Sequence, residues 1–133
     1  MASSTNTAIK AIEGRLAAQW ATTPIAWPGV HFDPGTSAYV RPIVRMAEAT
    51  DWTMGPSGLN VVPGILFLDI FTPQGTGYGV IRGYADTLRD IFDRAEAGIV
   101  RFRAASGPDS IDTEDTGWIG LQVTVPFSFE ETT

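Results

Sequence analysis

The sequence predicts a single α+β domain: a four-stranded antiparallel sheet with two helices packed on one face, in the order α-β-β-α-β-β. Three observations predict it. Apolar residues recur at three- and four-residue steps in two segments, one near the N-terminus and one in the middle of the chain. Four other segments alternate with a period of two. Strands joined by loops favour antiparallel pairing, and a sheet with an apolar face buries it under helices. A chain of 133 residues suits one domain, and at that size roughly two-thirds of the unfolded surface is buried.

The first helix is expected from about Asn6 to Trp20, because Ile9, Ile12, Leu16 and Trp20 form one stripe. Thr5 or Asn6 can cap its start, and Thr22-Thr23-Pro24 ends it. Gly14 lies inside and costs about 1 kcal/mol of propensity. A glycine there suits a helix lying close to a sheet. Pro24 to Ser37 reads as a loop with turns at Pro28-Gly29 and Asp33-Pro34-Gly35, and Ile25-Ala26-Trp27 fits a very short edge strand.

Ala38 to Glu48 reads as a strand with Tyr39, Arg41, Ile43 and Arg45 on one face and Val40, Val44 and Met46 on the other. Pro42 lacks an amide hydrogen, which places this strand at an edge or a bulge. Thr50 to Asn60 is a Gly/Pro/Ser loop that holds Trp52, Met54 and Leu59. Val61 to Phe71 is the next strand, with Ile65, Phe67, Asp69 and Phe71 facing one way and Leu66, Leu68 and Ile70 the other. Apolar residues on both faces imply cover on both sides, from a helix or from a partner subunit.

Pro73-Gln74-Gly75-Thr76-Gly77 turns the chain into a second helix, from about Tyr78 to Ala97, with Gly98 placed for a C-cap. Ile81, Tyr84, Ala85, Leu88, Ile91, Phe92 and Ala95 mark its apolar face. Arg82–Asp86, Arg89–Asp93 and Asp90–Arg94 stand at i,i+4 on the other, each worth a few tenths of a kcal/mol. Ile99 to Ala105 is a third strand, Ser106 to Thr116 an acidic turn-rich loop, and Trp118 to Phe129 the fourth strand. In the last, Ile119, Leu121, Val123, Val125, Phe127 and Phe129 share one face.

Composition narrows the function. Hydrophobic residues are 44% and charged residues 18%, so a packed domain is expected rather than disorder. Cysteine is absent, which removes disulfides, thiolate nucleophiles and Cys-ligated zinc. A single histidine removes multi-His metal sites. Nine basic against fifteen acidic residues leave −6, the wrong sign for a strong nucleic-acid binder. The longest apolar run, Gly64 to Leu68, is far short of a membrane helix. The first residues, Met-Ala-Ser-Ser-Thr-Asn-Thr, have no charged and apolar regions of a secretory signal.

No constellation for catalysis survives. His31 as a general base wants an orienting carboxylate, and Asp33 is near, but a locally packed loop histidine is the plainer reading. Asp109, Asp112, Glu114 and Asp115 resemble a calcium loop in composition only; the D-x-D-x-D-G spacing and the closing Glu are missing. Residues 73–79 lie where a phosphate loop would, without its lysine or glycine spacing. Arg41, Arg45, Arg101 and Arg103 are either solvated charges or interface anchors, since arginine makes bidentate pairs. Trp52, Met54 and Leu59 in a polar loop point to packing within the chain or against a partner. The balance favours an interaction protein.

The run Ala8-Ile9-Lys10-Ala11-Ile12-Glu13-Gly14-Arg15-Leu16 leads into Ile25-Ala26-Trp27-Pro28-Gly29-Val30-His31-Phe32-Asp33-Pro34. Then come Tyr39-Val40-Arg41-Pro42, the segment Gly64 to Pro73, a glycine turn with an amphipathic helix, and Trp118 to Phe127. This order of segments, covering nearly the whole chain, resembles the small tail-terminator, or tail-completion, proteins of long non-contractile-tailed bacteriophages (siphoviruses). The resemblance implies an α+β structural virion protein with no enzymatic activity and no cofactor. It implies a homo-oligomer, a hexameric ring at the head-proximal end of the tail tube. That ring ends tube polymerisation, meets the tube protein, and joins the tail to the head-completion or connector protein. It further implies assembly in the host cytoplasm, residence at the tail–head junction, and a genome that passes through the lumen without specific binding. In that picture Trp52, Met54 and Leu59 contact a neighbour or the tube. Arg41, Arg45, Arg101 and Arg103 pair with carboxylates across subunits. Asp109, Asp112, Glu114 and Asp115 face the lumen or a ring surface, where negative charge repels DNA. The particle is a phage or a phage-derived gene transfer agent. The alternatives are another head–tail neck protein, of the stopper or head-completion kind, and a small ligand-binding or enzymatic domain with a pocket around His31 and Tyr39.

Overall fold

In a computed structural model of the chain, the structure describes residues 4–33, 35–47, 50, 51, 59–75, 77–111, 113 and 117–132. Helix α1 spans Ser4–Gln19 and α2 spans Tyr78–Phe92. The strands are β1 (Tyr39–Met46), β2 (Thr50–Asp51), β3 (Leu59–Pro73), β4 (Glu96–Ala97), β5 (Val100–Phe102), β6 (Ser106–Ile111) and β7 (Trp118–Thr132). They form one sheet in the order β1-β3-β7-β5-β4, with β2 also on β3 and β6 also on β7. Every strand pairing is antiparallel.

The sheet therefore has seven strands, not four. The reason lies in the centre. β3 and β7 pair along all 15 residues, from Leu59↔Thr132 to Pro73↔Trp118. A ribbon that long outruns any one neighbour. On one side β1 covers Gly64–Phe71 and β2 covers Asn60–Val61. On the other, β6 covers Gly120–Thr124 and β5 covers Phe127–Phe129. The expected acidic loop from Ser106 is thus a strand as far as Ile111, and Leu59 opens a strand rather than lying in a loop.

Alternation sets the two faces. Val40 of β1, Leu66, Leu68 and Ile70 of β3, and Leu121, Val123, Val125, Phe127 and Phe129 of β7 are buried on the inner face. Against them pack Ala8, Ile12, Leu16 and Trp20 of α1 and Ile81, Ala85, Leu88, Ile91 and Phe92 of α2, in one cluster. Both helices thus lie on one face, as the sequence predicts. Gly64 is what lets Phe127 fill the centre: a Cβ there would collide with the Phe127 ring and lie 2.8 Å from the Arg45 carbonyl.

Other boundaries moved for local reasons. α1 begins at Ser4, so Thr5 and Asn6 lie in its first turn rather than capping it. Gly14 is exposed with open space about it, and the helix does not use it to approach the sheet. α2 ends at Phe92, five residues before the predicted Ala97, because Asp93 and Arg94 turn the chain. The Arg94 amide donates to the Arg103 carbonyl and Arg94 takes φ 51°. Gly98, at φ 58°, turns the β4–β5 hairpin instead of capping the helix. The expected i,i+4 ladder is replaced in part: the Ala105 amide donates to Asp93 Oδ1 at 2.8 Å, Arg89 Nη2 reaches the Ala105 carbonyl at 3.4 Å, and Arg94 pairs with Asp93 at 3.4 Å. Ile25 makes a lone parallel bridge to Val40 at the β1 edge, which is all that remains of the short strand.

Candidate assembly surfaces

Among the described residues no helix lies on the sheet's second face, and its side chains form rows across the strands. The register β1-β3-β7 aligns Tyr39 with Phe71 and Gly120, Arg41 with Asp69 and Gln122, Ile43 with Phe67 and Thr124, and Arg45 with Ile65 and Pro126. β6 adds Ile111 beside Gly120 and Asp109 beside Gln122. Past Pro126, the Arg103 amide donates to its carbonyl at 2.8 Å.

The upper rows close on themselves. Tyr39 stacks on Phe71 at 4.9 Å, meets Trp118 edge-on at 5.5 Å and lies tilted against Phe32 at 5.1 Å. Ile111 lies over Gly120, where a Cβ would stand 2.8 Å from its Cγ1. Below them Arg41 Nη2 donates to Asp69 Oδ2 at 2.9 Å, and Gln122 Nε2 donates to Asp69 Oδ1 at 2.8 Å. The Arg41 guanidinium also sits 5.1 Å from the Phe71 ring centre. Asp69 is 4% exposed and Arg41 48%. A carboxylate that deep in the row needs both donors, since an unpaired buried charge is strongly disfavoured. The ion pair of Arg41 is thus made inside its own chain.

The lower rows stay open. Ile65 is 38% exposed, Phe67, Ile43, Pro63 and Pro126 are half-buried, and Arg45 and Arg103 are exposed at the two ends. Ile65, Phe67, Pro63 and Pro126 with those arginines line a shallow groove of about 400 Å³. Arg101 stands opposite Glu96 across the β4–β5 pair. Among the described residues, no ion pair joins Arg45, Arg101 or Arg103 to a carboxylate.

At the β1 edge lies a second groove, of about 620 Å³, lined by residues that include Ile9, Trp27, Val30, His31, Tyr39 and Val44. It does bring His31 and Tyr39 to one concavity. His31 is exposed, and Asp33 Oδ1 accepts from the Gly35 amide at 3.0 Å, the hydrogen bond of a local turn. At the start of α2, Gly77 takes φ 89° and no side chain caps the helix. Among the described residues no group of three or more His, Cys, Asp or Glu could hold a metal ion. No helix among them is long and apolar enough to cross a membrane.

Of the predicted site residues, Arg45 and Arg103 share the lower row and Asp109 adjoins the Asp69 row, while Arg101 opens toward the far edge. Trp52, Met54, Asp112, Glu114 and Asp115 lie outside the described residues, as does the side chain of Leu59. Sequence reasoning missed the role of Gln122. Its signal was a polar residue level with Asp69 on the outer face, and that needs the β3–β7 register to be seen.

The chain is a two-layer α+β domain with arginines beside an open apolar stretch of one sheet face. Comparison with known proteins gives the class a family. The model of the family described as "Phage tail terminator protein" matches residues 7–127, and the chain belongs to that family. It is accordingly a structural component of the phage tail and so of the virion. A solved structure that carries no functional description has the same fold, with a TM-score of 0.71 and 20% identity over 96% of each chain. Among curated proteins none matches the chain.

Proposed function

We propose that the protein forms a ring, six-membered as in the resemblance drawn from its sequence, that caps the head-proximal end of a tail tube. The ring stops tube polymerisation and then presents a surface to the head connector. The family match across residues 7–127 carries this reading. The open sheet face supports it, because a subunit with one uncovered apolar face is stabilised by a neighbour that covers it. Catalysis has no part in the mechanism. The ring acts by geometry, offering the tube an end that further tube subunits cannot extend. The acidic segment Asp109–Asp115 faces the lumen or a ring surface and repels the passing genome.

Purified protein added to polymerising tube protein should shorten tubes in proportion to dose. Electron microscopy should show one extra ring at one tube end, and native mass of the isolated ring should give six copies. Tubes of unaltered length and bare ends would refute the reading.

A further inference from the structure

The lower half of the outer sheet face has apolar residues with none of the described elements packed over them. Ile65, Phe67 and Pro126 form its floor and Arg45 and Arg103 its walls. Arg45, Ile65, Pro126 and Arg103 lie on one row across β1, β3, β7 and the end of β5. Three interstrand spacings put the two arginine Cα atoms about 14 Å apart. An α-helix with its side chains is about 10–12 Å across. The gap between the arginines therefore has the width of one helix.

A helix of matching chemistry is present on the opposite side of the same molecule. On α2, positions 79, 83, 86 and 90 fall within one narrow stripe, at steps of four, three and four residues. They are Gly79, Gly83, Asp86 and Asp90, all exposed. Nothing lies within 4 Å of where a Cβ on either glycine would stand. Gly83 costs about 1 kcal/mol in the helix interior, Gly79 lies in the first turn, and inside this chain neither fills a tight place. The two aspartates carry no ion pair among the described residues. The stripe is flat at one end and negative at the other, as a helix needs to lie on an apolar floor between two arginines.

We propose that α2 of a second copy covers this face, with Gly79 and Gly83 against the floor and Asp86 and Asp90 between Arg45 and Arg103. The contact joins two different surfaces on opposite sides of the subunit, so it propagates head to tail and closes a ring when the rotation permits. This rests on the ring reading above and names the surfaces that make the ring.

Reciprocal charge reversal tests it. Arg45→Glu with Arg103→Glu makes one variant, and Asp86→Arg with Asp90→Arg the other. Circular dichroism should show both folded, and sedimentation should show self-association at least about a hundredfold weaker than wild type, from like charges brought together. Mixed in equal amounts, the two variants should form rings of alternating composition, because each reversed surface then meets its complement. Wild-type assembly by either variant alone, or a mixture that stays monomeric, would overturn the proposal. Loss of tube capping with rings intact in the arginine variant would also overturn it, assigning the face to the tube. Rings that form through this contact but leave tube length unaltered would sink the capping function and leave the contact standing.

Discussion

Asp69 is the residue on which the outer face turns. Its carboxylate is 4% exposed and takes hydrogen bonds from Arg41 and Gln122. Hydrogen bonds to a charged group contribute about 1.5–3 kcal/mol. Asp69→Ala should therefore lower stability by about 2 kcal/mol, read as a drop in the urea midpoint with an unaltered slope. The half-exposed Arg41 can turn to water, which keeps the loss from growing larger. Gly64 is the second decisive residue. A side chain there meets the Phe127 ring and the Arg45 carbonyl. Gly64→Val should cost at least about 2 kcal/mol by overpacking, seen as a lower thermal midpoint. A midpoint within a degree of wild type would show that Phe127 can move aside.

At the scale of elements, the legible parts were those with long patterns. The faces of β1, β3 and β7 stand as their alternation predicts, and Pro42 lies on the edge strand. The backbone of Val40 there bonds to Pro24 and Ala26 on the side away from β3, so by alternation the backbone groups of Pro42 also face away from β3, where a missing N–H breaks no ladder bond. What the patterns did not carry were β2, β4 and β6. They are short, and β6 reads Ser-Gly-Pro-Asp-Ser-Ile, which has turn composition. It is held extended by the ladder of β7, a tertiary cause. The same holds for the end of α2, where the Asp93 side chain caps the Ala105 amide in preference to a helical ion pair. The stability of α2 gives a further prediction. Gly83→Ala adds a methyl into open space, so it should stabilise the monomer by up to about 1 kcal/mol. Calorimetry on the dilute protein checks this. A lower midpoint would mean that Gly83 is constrained within its own chain.

At the scale of the whole molecule, the net charge of −6 sets a problem for any self-assembly. Subunits of like charge repel, so arginine-to-carboxylate contacts must be local. Such contacts at a rim are screened by salt, with a Debye length of about 8 Å at physiological strength. Ring assembly should weaken as sodium chloride rises from 0.05 to about 0.5 M, measured by sedimentation; salt-indifferent assembly would point to apolar contacts alone. Residues 52–58 give another whole-molecule prediction. Deleting Thr53–Ser57 together with Trp52→Ala should leave a folded protein that no longer forms rings or caps tubes. Native mass spectrometry and tube-length counts check it, and unchanged rings would free that segment of an assembly role. The sequence by itself determined the helix faces, the alternation of the long strands and the absence of cysteine chemistry, because these follow from residue order and local geometry. Only the tertiary structure decided which residues share a row on the sheet. A period of two fixes the face a side chain takes, but the pairing register alone brings Arg45 level with Ile65, and Gln122 level with Asp69.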